Sequence, residues 1–472
     1  MSKTESPPLA ITRAILNCAR TARFSFGDET ALVTVQHMLL QTVDLLKTIE
    51  AMGLELQNVF ALGKVYSNSD VVIEILKEKG VTIVESTVPE PGEFHPTFDR
   101  DVQRLWRVAA AALAHRRIKR ILVLDDAGVC ITNSPVDLLK RYTLYGVEQT
   151  SQGTFLFERK PPRFGVVSWA RSAVKLEIGG PIFSQSFLDK FRTKFLHGAS
   201  IAGAEVGIIG LGSIGKSVAN LILKQGAEIF SYDPNPNLHI PGYLLGEVTH
   251  VGSLEELMLR CDYVIGCSGR QPFARKWPLS HRPGINLLSA SGGDQEFRAI
   301  IKDLKRKPGF NANPATWDIT SAHGPSGQIN IAYSGYPYNF VSRGLEAVST
   351  RVVQLETGGL LAALIQARLC IELLESGCSQ NSGLQRVSPA AQRFVYERWL
   401  SAMQEEKIDV SELFAYDEAM LSAAKHEQWF AQNSEPTVEG QTEVEEMMSA
   451  FFADLSTRPR LKREPAPDFS AF

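Results

Sequence analysis

Three glycines in this 472-residue sequence are spaced to hold a phosphate. Gly210, Gly212 and Gly215 form GxGxxG, with Ser213 and Ile214 inside the motif. An apolar run containing Val206, Ile208 and Ile209 precedes it, and residues 217–225 read as a helix, so the order is strand, turn, helix. In that setting Gly210 permits the tight turn, Gly212 lets the backbone approach a diphosphate, and Gly215 lets the helix pack on the strand. The helix N-terminus adds N–H groups and a positive dipole end. A second strand, residues 228–232, ends at Asp233, whose carboxylate suits ribose hydroxyls and repels a 2′-phosphate. The expected cofactor is therefore NAD. A further turn, Ser268-Gly269, closes the strand that begins at Tyr263 and adds to the same edge.

A second set of residues could move protons. His37 follows the strand Ala31-Leu-Val-Thr-Val, and Asp125-Asp126 follows Ile121-Leu-Val-Leu. Ligands of open α/β sheets bind at such carboxyl ends. There a histidine can transfer a proton, and an acid can hold a hydroxyl or orient a base; both types also serve as plain structural groups and helix caps. Lys175 lies where residues 164–180 pass from strand to helix, and partial burial there would make it a base. The structural alternative is a pairing with Glu177 or another surface acid.

The elements that must position these residues read as an α/β protein of two doubly wound, Rossmann-like domains with a cleft between them, plus a helical C-terminal extension. Residues 1–185 are expected to form a substrate-type domain and 186–350 the NAD-binding domain. Residues 351–380 then cross back as a helix, and 381–472 form an oligomerisation or protein-partner appendage with a flexible tail. Within that appendage, residues 390–406 and 410–428 read as polar helices. Residues 329–333 and 335–340 read as a final strand pair.

Bulk properties narrow the classes. With 44% apolar and 21% charged residues, the chain has the composition of a globular protein with ample core. A formal net charge of −3 and the lack of a basic stripe argue against nucleic acid as a partner, leaving small-molecule chemistry. The six cysteines form no CxxC pair, so neither a structural metal nor a disulfide framework is expected. Arginines interrupt the apolar residues of the N-terminus, and charges interrupt residues 352–374, so neither an export signal nor a membrane span is expected. The expected location is the cytoplasm.

Across residues 30–375 the order of motifs resembles S-adenosylhomocysteine hydrolase. The resemblance is carried by His37-Met38, by Asp125-Asp126-Ala127-Gly128, by the loop Glu148-Gln149-Thr150-Ser151-Gln152-Gly153, by Ser172-Ala173-Val174-Lys175, and by Asn339-Phe340. It implies that His37, Asp126 and Lys175 handle protons during NAD-dependent oxidation of a ribosyl hydroxyl. It also implies that Thr150, Ser151 and Asn339 touch the cofactor and that the protein is a homo-oligomer. The chain departs from the family at Gln149, Gly179-Gly180, Ser184 and residues 289–293. Losing several transition-state partners together removes ordinary hydrolase turnover, so the expected ligand widens to a nucleoside-like or other small hydroxylated compound. Two other readings fit the same build. One is a catalytically silent NAD- or nucleoside-sensing scaffold; the other is a 2-hydroxy acid dehydrogenase, for which no arginine, acid and histidine set is evident.

Overall fold

The strand at the centre of the first half, β1 (Thr30–Gln36), is buried at every position, which marks a parallel sheet covered by helices on both faces. The computed structural model describes residues 9–235, 244, 246–307, 309–311, 320–341, 344–377, 383–410, 430, 432 and 442–453. The next strands of the first domain are β2 (Val59–Gly63), β3 (Thr82–Val84), β4 (Arg120–Asp125), β5 (Thr143–Glu148) and β6 (Val166–Ser168). The second domain contributes β7 (Glu205–Ile209), β8 (Glu228–Tyr232), β9 (Val248–His250), β10 (Tyr263–Gly266), β11 (Ile285–Ser289), β12 (Thr320–Gly324) and β13 (Gly327–Ile331). A last strand, β14 (Leu384–Arg386), returns to the first domain.

The first sheet runs β14, β6, β5, β4, β1, β2, β3 and is parallel throughout. The second runs β12, β13, β11, β10, β7, β8, β9, parallel except for the β12–β13 hairpin. Both are doubly wound, so strand order reverses between β1 and β4 in one sheet and between β7 and β10 in the other. Ligands bind at that reversal. His37 and Asp126 leave the first switch point, Gly210 and Ser268 the second.

Two expectations need correcting. Residues 332–340 are not a strand: positive φ at Tyr333, Ser334 and Gly335, followed by Pro337, folds them into two 3-10 turns, and β13 pairs instead with β12. Nor is the start of the C-terminal extension an appendage. Its strand β14 extends the first sheet, and its helix Pro389–Glu405 buries Phe394, Val395, Tyr396 and Trp399 in the first-domain core, which Met448, Phe451 and Phe452 of helix Thr442–Ala453 complete. Residues 411–428 of the helix expected at 410–428, and the tail beyond 453, lie outside the described residues.

Helix Thr350–Glu375 is long and apolar enough to cross a membrane, yet 83% of its most apolar window is buried within the fold, against β4, β5, β6 and helix Leu40–Ala51. Gly359 makes this possible, because a Cβ there would stand 2.2 Å from the indole of Trp169. The two domains also meet at an aromatic knot. Tyr66 stacks on Tyr336 at 4.9 Å, its hydroxyl accepts from the Gly293 N–H, and the Tyr333 hydroxyl donates to its carbonyl.

Candidate active site

The glycine motif divides its work as the strand, turn and helix order requires. Gly210 has φ +87°, and a Cβ there would lie 2.7 Å from Ser268 Cα, so only glycine brings the β7 and β10 turns together. A Cβ at Gly215 would meet the Gly210 carbonyl oxygen at 1.9 Å. At Gly212 it would meet nothing within 4 Å among the described residues. That open space adjoins helix Ser213–Leu223, whose first N–H groups have no intrahelical acceptor. Asp233 closes the other side: its carboxylate accepts from Leu211 N at 2.9 Å and from Asn235 N at 2.9 Å. An unfilled glycine cradle, amide donors and an acid one residue beyond β8 fit a dinucleotide.

Other expected cofactor contacts are engaged elsewhere. Ser213 donates its hydroxyl to the Leu176 carbonyl, and Ile214 accepts through its carbonyl from Ser184 Oγ at 3.3 Å, so both side-by-side residues dock the helix on the interdomain segment. Ser268 Oγ and Gly269 N donate to Glu296, at 3.0 and 2.7 Å. Thr150 is the N-cap of helix Ser151–Arg159; its hydroxyl accepts from Gly153 N and Ala127 N and donates to Glu148. Ser151 is exposed on that helix, whose Phe155 lies under the Arg270 guanidinium. Asn339 is buried between Tyr338, packed on Phe187, and Phe340, stacked on His37 at 4.3 Å.

Glu296 escaped the sequence reading because nothing around it repeats a motif. Burial pushes its carboxyl up to about 7, against the hydrogen bonds from Ser291 and Ser268. The folded state therefore holds a proton that the unfolded chain has released, and the stability this supplies is lost as pH rises through the folded value. Replacing Glu296 with Gln is expected to remove that slope. In paired thermal melts the variant should gain on the parent by about 3 kcal/mol between roughly pH 5 and pH 8; parallel profiles would disprove it.

In the first domain the register explains which groups meet. Gln36 pairs with Gly63, so the following residues, His37 and Lys64, leave the sheet side by side. Both reach Asp126: Lys64 through an ion pair buried to 2% exposure, His37 through Nε2 at 3.2 Å. Gln149 donates to Asp126 Oδ2 at 2.7 Å. Burial alone would raise the Asp126 carboxyl, but Lys64 and His37 hold it well below the usual range. Burial lowers the His37 imidazole, with Asp126 opposing and Lys64 and Lys175 adding. A neutral ring facing an ionised acid carries its proton on Nε2, leaving Nδ1 to accept from Ser67 Oγ at 2.6 Å. Both His37 nitrogens and both Asp126 oxygens are thus engaged by protein. The order acid, histidine, serine is that of a hydrolytic triad, but Ser67 is only 1% exposed, so its hydroxyl is closed to a substrate.

Lys175 is differently placed. Its Nζ pairs with Glu356 Oε2 at 2.8 Å, not with Glu177, and sits 4.5 Å from the centre of the Phe183 ring. Trp169 Nε1 donates to the same Glu356 oxygen at 2.7 Å. Glu356 appeared in the sequence only as a charge interrupting an apolar helix. Gly179 and Gly180 make room for this junction: a Cβ on Gly179 would stand 2.5 Å from Glu356 Oε1, and one on Gly180 2.2 Å from Ser213 Oγ. The lysine turn and the start of the dinucleotide helix are thereby in contact.

Comparison with known proteins accords with the cradle. Residues 184–275 match the family model of the D-isomer specific 2-hydroxyacid dehydrogenase, NAD binding domain. NAD is the cofactor of the second domain. Two uncharacterized proteins of Mycobacterium tuberculosis, from strains CDC 1551 / Oshkosh and ATCC 25618 / H37Rv, are each 28% identical over 316 residues, or 66% of this chain. The aligned region spans 59% of the length of these relatives. The apo-structure of D-lactate dehydrogenase from Escherichia coli covers 74% of this chain and 99% of its own at 12% identity and a TM-score of 0.36. The family match overturns the resemblance to S-adenosylhomocysteine hydrolase and the ribosyl oxidation it implied. That resemblance rested on motif order, which two doubly wound domains impose on any ligand they hold. Over residues 184–275 the chain is similar to the NAD-binding domain of a dehydrogenase family.

Proposed function

We propose that the protein is an NAD-dependent oxidoreductase that interconverts a small D-2-hydroxy acid and its 2-keto acid. The observation that carries this reading is the match of residues 184–275, which fall on a glycine cradle open at Gly212 and bounded by Asp233. NAD, when bound, takes up or returns the hydride. The chain's own contribution is at the junction, where the Lys175 ammonium supplies positive charge for the substrate oxygen. In the network of His37, Asp126 and Lys64 both ring nitrogens and both carboxylate oxygens are engaged, which keeps it rigid.

The reading is tested by denaturing purified protein, identifying released nucleotide by mass spectrometry, and following NADH absorbance with paired D- and L-2-hydroxy acids. NAD release and oxidation confined to D-acids are expected. Bound NAD with no NADH from any acid would favour the sensing scaffold, and failure to bind NAD at all would refute both.

A further inference from the structure

The carboxylate of Glu356 is used on one side only. Its Oε2 accepts from Lys175 Nζ at 2.8 Å and from Trp169 Nε1 at 2.7 Å, whereas Oε1 is buried and has no hydrogen-bond partner among the described residues. The residue as a whole is 6% exposed. An unsatisfied buried carboxylate oxygen is costly, and folds keep one where a ligand completes it. Here the free oxygen is directed over Gly179, at the turn whose next residue touches Ser213 on the dinucleotide helix. Lys175 cannot serve it as well, because its ammonium is held at Oε2 and over Phe183.

We propose that Glu356 is the catalytic base, with Oε1 accepting the hydrogen bond, and then the proton, of the substrate hydroxyl. This rests on the oxidoreductase reading. In the oxidative direction the substrate O–H bond breaks and its proton passes to Glu356 Oε1, while the C–H bond breaks and its electron pair leaves with hydrogen as hydride to NAD, forming the carbonyl. Lys175 faces the same carboxylate and holds positive charge beside the oxygen as it loses its proton. In the reductive direction the protonated Glu356 returns that proton to the new hydroxyl. The glycine pair 179–180 acquires a purpose through this role: any side chain at 179 would occupy the place of the substrate oxygen.

Two variants separate contact from chemistry. Gly179→Ala retains Glu356, Lys175 and Trp169 and keeps a helical backbone angle of φ −64°, but puts a methyl group against Oε1. Glu356→Gln retains a hydrogen-bond acceptor but cannot take the proton. Binding of D-lactate, glycolate and glycerol to the NAD-loaded protein is measured by calorimetry, beside NADH formation and thermal melts. Gly179→Ala is expected to weaken probe binding by about tenfold to a hundredfold, the worth of one hydrogen bond to a charged group, with NAD affinity unchanged. Glu356→Gln is expected to lower kcat by about a hundredfold or more with KM moved far less. If the parent makes NADH and both variants match its probe affinity and kcat, Glu356 is excluded and the oxidoreductase reading stands. If the probes bind the parent and Glu356→Gln, bind Gly179→Ala weakly, and no protein makes NADH, the contact stands and the dehydrogenase reading falls. A parent that binds none of the probes overturns the contact as well.

Discussion

Replacing Lys64 with methionine is expected to lower stability by about 3–5 kcal/mol, the usual consequence of removing one partner from a buried ion pair. Lys64 is 2% exposed and is the ammonium that Asp126 faces. Burial alone would lower it, but Asp126, Tyr66 and Glu148 hold it above its ordinary value. Two further carboxyls stand close by. Asp125 pairs across the sheet with Glu148, and burial pushes Asp125 up to about 7 and Glu148 well above its normal range. Without Lys64, Asp126 keeps only neutral Gln149 and a histidine whose protonation burial opposes. Its own carboxyl should then rise in the folded state. Stability from a group raised on folding is present at low pH and lost as pH rises, so the deficit should be larger at about pH 8 than at about pH 5. Adding Asp126→Asn to the variant removes the orphaned charge and should restore most of the loss. Urea midpoints at both pH values measure this; a Lys64→Met midpoint equal to the parent's would mean that the pair contributes nothing.

What the sequence made legible follows from where the information lies. The dinucleotide cradle works through backbone, so glycine spacing and one acid at a strand end are nearly the whole of it, and Gly210, Gly212, Gly215 and Asp233 fall where the motif puts them. The first-domain site is built from side chains brought together by topology. Lys175 and its partner Glu356 are 181 positions apart, and Lys64 meets His37 only because β1 and β2 pair in a particular register. Reading each strand end in turn finds His37 and Asp126; asking which residue follows β2 would have found Lys64 as well. Glycines 179 and 180 looked like lost functional groups, yet they are the space into which Glu356 and Ser213 fit. An empty place in one chain is filled from another part of it. Thr150 and Ser268 show why such residues are hard to read, since hydroxyls at turns cap helices and hold buried acids as readily as they hold ligands.

The glycine motif offers the sharpest separation of folding from binding. Gly212→Ala should melt with the parent, because the new methyl group meets none of the described residues within 4 Å and the residue's φ of −70° suits alanine. Its NAD affinity should nevertheless fall by about a hundredfold, the loss expected when two hydrogen bonds to a charged diphosphate can no longer reach their length. Gly215→Ala should behave in the reverse order. Its Cβ would stand 1.9 Å from the Gly210 carbonyl oxygen, a backbone atom of the turn that itself abuts Ser268, so the helix must move away from β7. A loss of about 3 kcal/mol or more is expected from that overpacking, with weaker NAD binding only as a secondary result of the shifted helix. Calorimetry on nucleotide-stripped protein and thermal melts of the same samples distinguish the two. If Gly212→Ala bound NAD as the parent does, the diphosphate could not lie against the turn, and the open space beside Ser213 would need another occupant.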